Sequence, residues 1–374
     1  MNITIVGGGN VGTLLAGEFT KKGNQVTIYT RDKSKWQEEI TVLDKDNEQY
    51  YKYKPYKITE NIQEAMESAE IIFITLPPFA SKKFILESQE YIKPKTWVGF
   101  YPGTGGIEFI SAKLIEKGCI IFGTQRICSV VRLKKYGEYV ITSGKRKELF
   151  LGTIPENKKE EVSQKVSELL DIKITPLPNY LNVTLTPSNP ILHPTRLYSI
   201  FKNYKEGVTY EFVPLFYEDW TDESSKYLIA CDNELHQVLD KINIDSSYII
   251  PLLTHYESTD YETLTNKITS IKSFKGITSP TIKTKEGHIP DLESRYFTSD
   301  FPYGLVIIKA FAMICEVKTP NIDTIISWYQ NLINKEYINI KENILGPDSK
   351  DLSLPQLYGI NKIEDIEKYY TKGK

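Results

Sequence analysis

The sequence predicts an α/β chain: a doubly wound, largely parallel sheet, followed by a mostly α-helical second domain. Three observations carry this. From residue 1 to about 175, short apolar runs alternate with helix-like stretches, the signature of successive βαβ units. A Pro-rich stretch then interrupts the pattern, from Thr175-Pro176-Leu177-Pro178 through Thr186-Pro187-Ser188-Asn189-Pro190, and marks a boundary. Beyond it the apolar period becomes helical, over Asp222 to Ile242 with Asp222 as N-cap, and again over 246–257, 260–274, 303–317 and 320–334. The division is placed at 1–178 and 179–374.

The first element is the most informative. Ile3-Thr4-Ile5-Val6 reads as a strand that breaks into Gly7-x-Gly9-x-x-Gly12, and Thr13-Leu14-Leu15-Ala16 continues as helix. Strand, tight turn and helix in this order form the dinucleotide-binding fingerprint of a Rossmann-type sheet. Gly7 permits the turn, Gly9 lets the backbone approach a pyrophosphate, and Gly12 lets the helix pack on the strand. Asn10 and Val11 open the helix, whose free N–H groups and positive dipole end receive the phosphates.

The second strand, Val26 to Tyr29, ends where an acid would accept bonds from the adenosine ribose of NAD. Here the residues are Thr30 and Arg31, with Lys33, Ser34 and Lys35 following. A hydroxyl and a guanidinium suit a 2′-phosphate, so NADPH is favoured over NADH. Asp32 is the counter-argument, because it stands one or two positions late for the ribose acid.

An acidic helix-like stretch, Asn61 to Ala69, leads to the strand Ile71 to Leu76, which stops at Pro77-Pro78. Trp97 to Tyr101 is a further strand and runs into Pro102-Gly103-Thr104-Gly105-Gly106; Ile120 to Gly123 follows. Tyr139–Thr142 and Glu148–Ile154 read as a hairpin or edge strands added to the sheet. Ligands of such sheets collect beyond the carboxyl ends of the strands. Leu76, Pro77 and Thr104 are therefore expected beside the cofactor, and Gln125 and Arg126 near the substrate or the nicotinamide.

Composition narrows the classes. The chain has 374 residues, 40% hydrophobic and 25% charged, with net charge −2. Lys and Arg are spread out, so no nucleic-acid partner is expected. Four cysteines lack metal-ligand spacing, which argues against a metal site and for a reducing, cytoplasmic setting. No leader precedes Ile3 and no apolar run reads as a bilayer span, so no membrane partner is expected. A monomer or homodimer is the prior for the assembly.

In the second domain, Asn189-Pro190-Ile191-Leu192-His193-Pro194 places an Asn and a His four apart, on one face of a helix start. Far downstream, Arg295-Tyr296-Phe297-Thr298-Ser299-Asp300-Phe301-Pro302-Tyr303-Gly304-Leu305 sets an Arg and an Asp five apart before a turn signal. With the N-terminal Gly-Gly-Gly-Asn-Val-Gly, these two segments resemble the octopine/nopaline (opine) dehydrogenase family. The pieces bracket residues 7 to about 305, and the last is the most specific.

The resemblance implies an NAD(P)H-dependent oxidoreductase acting on CH–NH donors. In that family an α-keto acid condenses with the amino group of an amino acid, and the imine is reduced to a secondary amine. His193 then serves as proton donor and acceptor, with Asp300 on its other ring nitrogen to fix the tautomer and retain a proton. Arg295 holds the keto-acid carboxylate, and Asn189 orients the substrate or the His. Read without the resemblance, Asp300 caps the helix from Tyr303 and Arg295 pairs with Glu293. Two other functions remain: a related two-domain hydroxy-acid or polyol-phosphate dehydrogenase, and a catalytically silent nucleotide sensor. The amine is unassigned, a metallophore precursor included; the aromatic-rich segment Tyr204–Trp220 suggests only a stacked or apolar wall.

Overall fold

The computed structural model describes residues 1–371 and divides into two compact units. The first is Met1–Thr184 joined by the segment that starts at Lys368, and the second is Leu185–Glu367.

In the first unit, β1 (Asn2–Val6), α1 (Asn10–Lys21) and β2 (Gln25–Tyr29) form the opening βαβ turn. After them come β3 (Ile40–Asp44), β4 (Gln49–Tyr53), β5 (Lys57–Thr59), α2 (Ile62–Met66), β6 (Ile71–Ile74), α3 (Pro78–Ser88) and β7 (Trp97–Phe100). Then α4 (Ile107–Ile110), α5 (Ala112–Glu116), β8 (Ile120–Thr124), β9 (Val130–Lys135), β10 (Tyr139–Ser143), β11 (Glu148–Ile154), α6 (Lys159–Leu170), β12 (Lys173–Pro176) and α7 (Leu181–Thr184) complete it.

The main sheet has eight strands in the order β12-β11-β8-β7-β6-β1-β2-β5. All pairs are parallel except β11 with β8. The strand order reverses between β1 and β6, so the loops after Val6 and Ile74 leave the sheet side by side. The strands are apolar on both faces, as a sheet covered by helices requires: Ile5, Ile28, Phe73 and Phe122 are fully buried. Phe73 meets Phe19 at 5.0 Å and Phe122 at 5.4 Å between ring centroids. Burying each such ring contributes about 1.5–3 kcal/mol.

Tyr139–Thr142 and Glu148–Ile154 do not pair with each other. β11 enters the main sheet beside β8, whereas β10 pairs with β9 and β3 in a separate four-stranded sheet, β4-β3-β10-β9. Its two hairpins turn over residues 45–48 and 136–138. Its inner residues Val42, Tyr53 and Val140 are buried in the same core as α1, and the Tyr53 hydroxyl donates to the Thr13 carbonyl at 2.8 Å.

A fully buried carboxyl closes the unit. Glu108 on α4 accepts from the Thr184 hydroxyl at 2.5 Å and the Tyr370 hydroxyl at 2.7 Å, and Tyr369 donates to its backbone carbonyl. Burial pushes this carboxyl up to about 7.

The second unit is built on α8 (Ser188–Phe201), α9 (Asp222–Leu239), α10 (Leu252–His255), α11 (Tyr261–Ser270), α12 (Arg295–Thr298), α13 (Val306–Ile314) and α14 (Pro320–Ile333); α15 (Ile363–Tyr370) ends the described chain. Several limits differ from the sequence expectation. The N-cap of α9 is Thr221, whose hydroxyl accepts from the Ser224 N–H, and Asp222 lies in the first turn. Only Leu252–His255 of 246–257 is helical. The helix expected over 260–274 stops at Ser270, after a capping box between Asp260 and Thr263. In place of a plain helix from 303, the chain makes a π-turn over Phe301–Leu305 before α13. The run Arg295–Ile314 does reach the length and hydropathy of a membrane span, contrary to expectation, but 72% of its apolar window is buried within the protein, which is how a core helix behaves.

Candidate active site

The glycine loop is fixed by close approach. Gly7 has φ +103°, and a Cβ on Gly12 would lie 1.8 Å from the Gly7 carbonyl oxygen. The Thr75 hydroxyl, at the end of β6, donates to the Val6 carbonyl at 3.0 Å and so ties the two loops of the strand-order reversal together. Gly9 is the N-cap of α1, offers no side-chain cap, and has open space where a Cβ would stand. Among the described residues no side chain caps the start of α1, so its first N–H groups, which have no partner within the helix, suit a dinucleotide pyrophosphate. The side-chain oxygen of Asn10, a residue expected against the cofactor, accepts from the Leu133 N–H on β9 at 2.7 Å. Val11, Leu76, Pro77 and Thr104 are half-buried around the same end of the sheet.

Beside the loop, Trp36 and Tyr136 close over Gly8: a Cβ there would meet the Trp36 ring at 2.2 Å and the Tyr136 oxygen at 2.8 Å. Thr30 is buried beneath them. Its hydroxyl accepts from the Trp36 indole N–H at 3.2 Å and pairs with the Tyr136 hydroxyl at 2.9 Å. The expectation that this hydroxyl meets a 2′-phosphate is corrected accordingly: it is committed to the aromatic roof. Asp32 is also committed. It accepts from the Ser34 N–H, pairs with Lys35 at 3.1 Å, and is held below its ordinary range first by the Ser34 hydroxyl and then by Lys35. Arg31 is exposed.

In the second unit, α8 carries His193 within its continuously buried run Ile191–Leu197, and the residue is 4% exposed. Nδ1 lies 2.8 Å from Asp300 Oδ2, and Nε2 lies 2.8 Å from the Tyr217 hydroxyl. An ionised carboxylate only accepts, so with Asp300 charged Nδ1 carries the proton and Nε2 is the nitrogen left to exchange one. Tyr296 approaches the ring edge-on at 4.5 Å and Phe216 at 5.5 Å. Asp300 makes no side-chain cap for the turn that follows it. It reaches the imidazole because that turn packs against α8: a Cβ on Gly304 would strike Pro190 at 2.9 Å. The π-turn, with Tyr303 at φ −106° and ψ 15°, sets the approach; such turns recur at functional sites.

A second arginine, absent from the sequence reading, braces this cluster. Arg196, one turn after His193, is 1% exposed. Its guanidinium donates to the carbonyls of Phe216 at 2.7 Å, Leu215 at 3.0 Å and Asp219 at 2.8 Å, and to the Ser224 hydroxyl at 3.2 Å. Burial lowers it to about 10, which leaves it charged at neutral pH. It thereby pins the Leu215–Asp219 segment that carries Tyr217. The signal available in the sequence was an Arg at His193 plus three inside an otherwise apolar helix face. The aromatic segment Tyr204–Trp220, expected to form a wall, supplies Phe216 and Tyr217 to the imidazole.

The remaining expected residues divide. Arg295 is exposed on α12 and forms no ion pair with Glu293 among the described residues. Asn189 is exposed in the first turn of α8; both nitrogens of His193 are taken by other groups, so Asn189 does not orient the ring. Gln125 belongs to the first unit, where its side-chain amide donates to the Asn182 carbonyl at 2.8 Å. Among the described residues, no His, Cys, Asp and Glu cluster is suited to a metal.

Residues 176–333 match the family described as NAD/NADP octopine/nopaline dehydrogenase, alpha-helical domain, and residues 3–154 match ketopantoate reductase PanE/ApbA. The chain is 28% identical to tauropine dehydrogenase of Arabella iricolor, over 97% of this chain and 99% of that protein. It is 25% identical to octopine dehydrogenase of Pecten maximus, over 98% of each. The solved structure of octopine dehydrogenase with NADH and L-arginine superposes with a TM-score of 0.88 at 25% identity, covering 100% of this chain and 98% of that one. The same enzyme with NADH and pyruvate gives 0.87.

Proposed function

We propose that the chain is an opine-type dehydrogenase, a reading supported by its match to the octopine/nopaline dehydrogenase helical domain over residues 176–333 and by its likeness to tauropine and octopine dehydrogenases over nearly its whole length. It joins the amino group of an amino acid to an α-keto acid such as pyruvate, and the resulting imine is reduced to a secondary amine. The observation that carries this reading is the 2.8 Å pair between His193 Nδ1 and Asp300 Oδ2, made by residues 107 positions apart. A nucleotide sensor has no use for such a pair, whereas imine formation needs a group that gives and takes protons near neutrality.

The chain's own residues divide the work. Asp300 accepts from Nδ1–H and fixes the tautomer. His193 exchanges its proton at Nε2. Arg295, exposed beside Tyr296, offers a fork to the keto-acid carboxylate, and Asn189 orients the substrate. The Gly7–Gly12 loop, with Leu76, Pro77 and Thr104, holds the nicotinamide dinucleotide, which when bound supplies the hydride. NADPH is preferred over NADH: Asp32 is turned into its own cap and away from the ribose-acid role, which leaves Arg31 as the cation for a 2′-phosphate. Four buried, unbridged cysteines accord with a reducing cytoplasm.

The test supplies NADPH or NADH with pyruvate and a panel of arginine, agmatine, lysine, histidine and alanine. Cofactor oxidation that requires both keto acid and amine is expected. Oxidation with keto acid alone points to a hydroxy-acid dehydrogenase, and binding without turnover points to a sensor.

A further inference from the structure

Three donors but only two contacts meet at the end of β2. The Trp36 indole N–H, which can only donate, gives its proton to the Thr30 hydroxyl oxygen at 3.2 Å, and that hydroxyl pairs with the Tyr136 hydroxyl at 2.9 Å. Two O–H groups share the second contact, so one proton is left over. Thr30 is 3% exposed, and among the described residues the Tyr136 oxygen is the one acceptor within reach of its proton. An unmatched donor inside the fold is costly, so Thr30 donates to Tyr136. The phenol then keeps its own proton with no acceptor on the chain, and Tyr136 is 40% exposed. The β9–β10 turn holds the phenol in place. Gly137, at φ +68°, follows it, and a Cβ there would strike the Lys35 carbonyl oxygen at 2.4 Å. The Gly137 carbonyl accepts from the Gln37 N–H at 3.0 Å, and the Trp36 ring meets the phenol edge-on at 5.5 Å. The same hairpin is tied to the start of α1 through Leu133 and Asn10. The Tyr136 oxygen therefore stands between Gly8 of the glycine loop and Thr30, at the strand end that reads the adenosine ribose in sheets of this kind. Arg31, next along the chain, is exposed and makes no ion pair among the described residues.

We propose that Tyr136 reads the ribose in place of Thr30: its phenol, oriented by the Thr30 hydroxyl, donates to the 2′-phosphate of NADPH and sets the cofactor choice together with Arg31. This rests on the dinucleotide site and the NADPH preference proposed above. The chain from indole to threonine to phenol points its last proton outward, and each link polarises the next. A phosphate offers only acceptors and carries charge, so it takes that proton in a stronger bond than the neutral 2′-hydroxyl of NADH does. Arg31 contributes charge; Tyr136 contributes a donor of fixed direction. The acid that would favour NADH has no counterpart here, because Asp32 is engaged by Ser34 and Lys35.

Tyr136→Phe keeps the ring and its contact with Trp36 and deletes only the oxygen. The test is calorimetric titration of the full-length protein with NADPH and NADH, and with the fragments 2′,5′-ADP and 5′-ADP, which isolate the ribose end. The variant should bind NADPH and 2′,5′-ADP about tenfold more weakly, the scale of one charge-assisted bond, and NADH and 5′-ADP less than twofold more weakly, with the melting temperature preserved. Thr30→Val should weaken NADPH in the same sense. Combined with Tyr136→Phe it should add nothing, since Thr30 acts through the phenol. Equal losses within each pair overturn the proposal, because a phenol that only packs the roof, or that serves the pyrophosphate, predicts them. Unchanged affinities overturn it as well, and so does a Thr30→Val loss that persists undiminished in the double variant. Wild-type protein that binds neither dinucleotide sinks the cofactor reading and this inference together. Wild-type protein that turns over keto acid and amine but binds NADH as tightly as NADPH sinks this inference and leaves the opine reading standing.

Discussion

The glycine loop of the first unit and the imidazole cluster of the second solve different problems with different materials. The loop is almost all backbone: residues 7–12 are contiguous, and what they offer is N–H groups and the absence of Cβ atoms. The cluster is almost all side chain: His193, Tyr217, Tyr296 and Asp300 come from three separate segments and meet within hydrogen-bond or ring-contact distance. A backbone site tolerates any neighbour that leaves the space open. A side-chain site depends on whatever holds its parts in register, here the Arg196 clamp and the Gly304–Pro190 contact. The first kind is broken by adding an atom, the second by removing one.

The largest effect should come from the cluster. His193→Ala is expected to lower turnover by about 10²–10⁴ while dinucleotide affinity, read by fluorescence titration, stays unchanged. A parallel loss of affinity would show that the two regions are not separable.

A buried carboxyl outside both regions sharpens the contrast. Glu108 has its folded-state pKa raised to about 7 from the ordinary 4.5. Its contribution is fully present below about pH 4.5, where folded and unfolded chains are both protonated, and is lost as pH rises towards 7, where only the unfolded chain ionises readily. Between those limits the loss is about 3 kcal/mol. Glu108→Gln should flatten that part of the stability curve in urea melts taken at successive pH values; an unchanged slope assigns the pH dependence to other groups.

Gly12→Ala tests the backbone site by addition. The new methyl has no room against the Gly7 carbonyl, and strain of about 1–3 kcal/mol is expected, visible as a lower melting temperature and weaker dinucleotide binding, with the His193 NMR signals in place. The smallest effect belongs to Arg31→Ala: NADPH should weaken by about tenfold, the scale of one charge-assisted bond, and NADH by less than twofold. Equal losses for both would remove Arg31 from phosphate recognition.

Much of the first unit was legible because its signals are local. Gly7-x-Gly9-x-x-Gly12 after an apolar run can satisfy its steric demands in few ways, and the strands of a covered parallel sheet announce themselves as continuous apolar runs. Of the second sheet only β10 was legible, as Tyr139–Thr142, since Ile40–Asp44 and Gln49–Tyr53 mix polar and apolar residues and pack on α1. Thr30 illustrates the limit at the site: its position after β2 was evident, but the indole and phenol that take its hydroxyl come from residues 36 and 136.

In the second unit the sequence by itself determined which residue types were available: an imidazole on a helix rich in apolar residues, and a distant Arg and Asp five apart. Which groups meet was decided by tertiary structure alone. Hydrogen bonds act over about 3 Å, and bringing Asp300 and Tyr217 onto opposite nitrogens of one ring required a π-turn seated on Pro190 and a loop pinned by a buried guanidinium. Spacing along the chain encodes neither contact, because both are made by packing between segments that local preference leaves free to part.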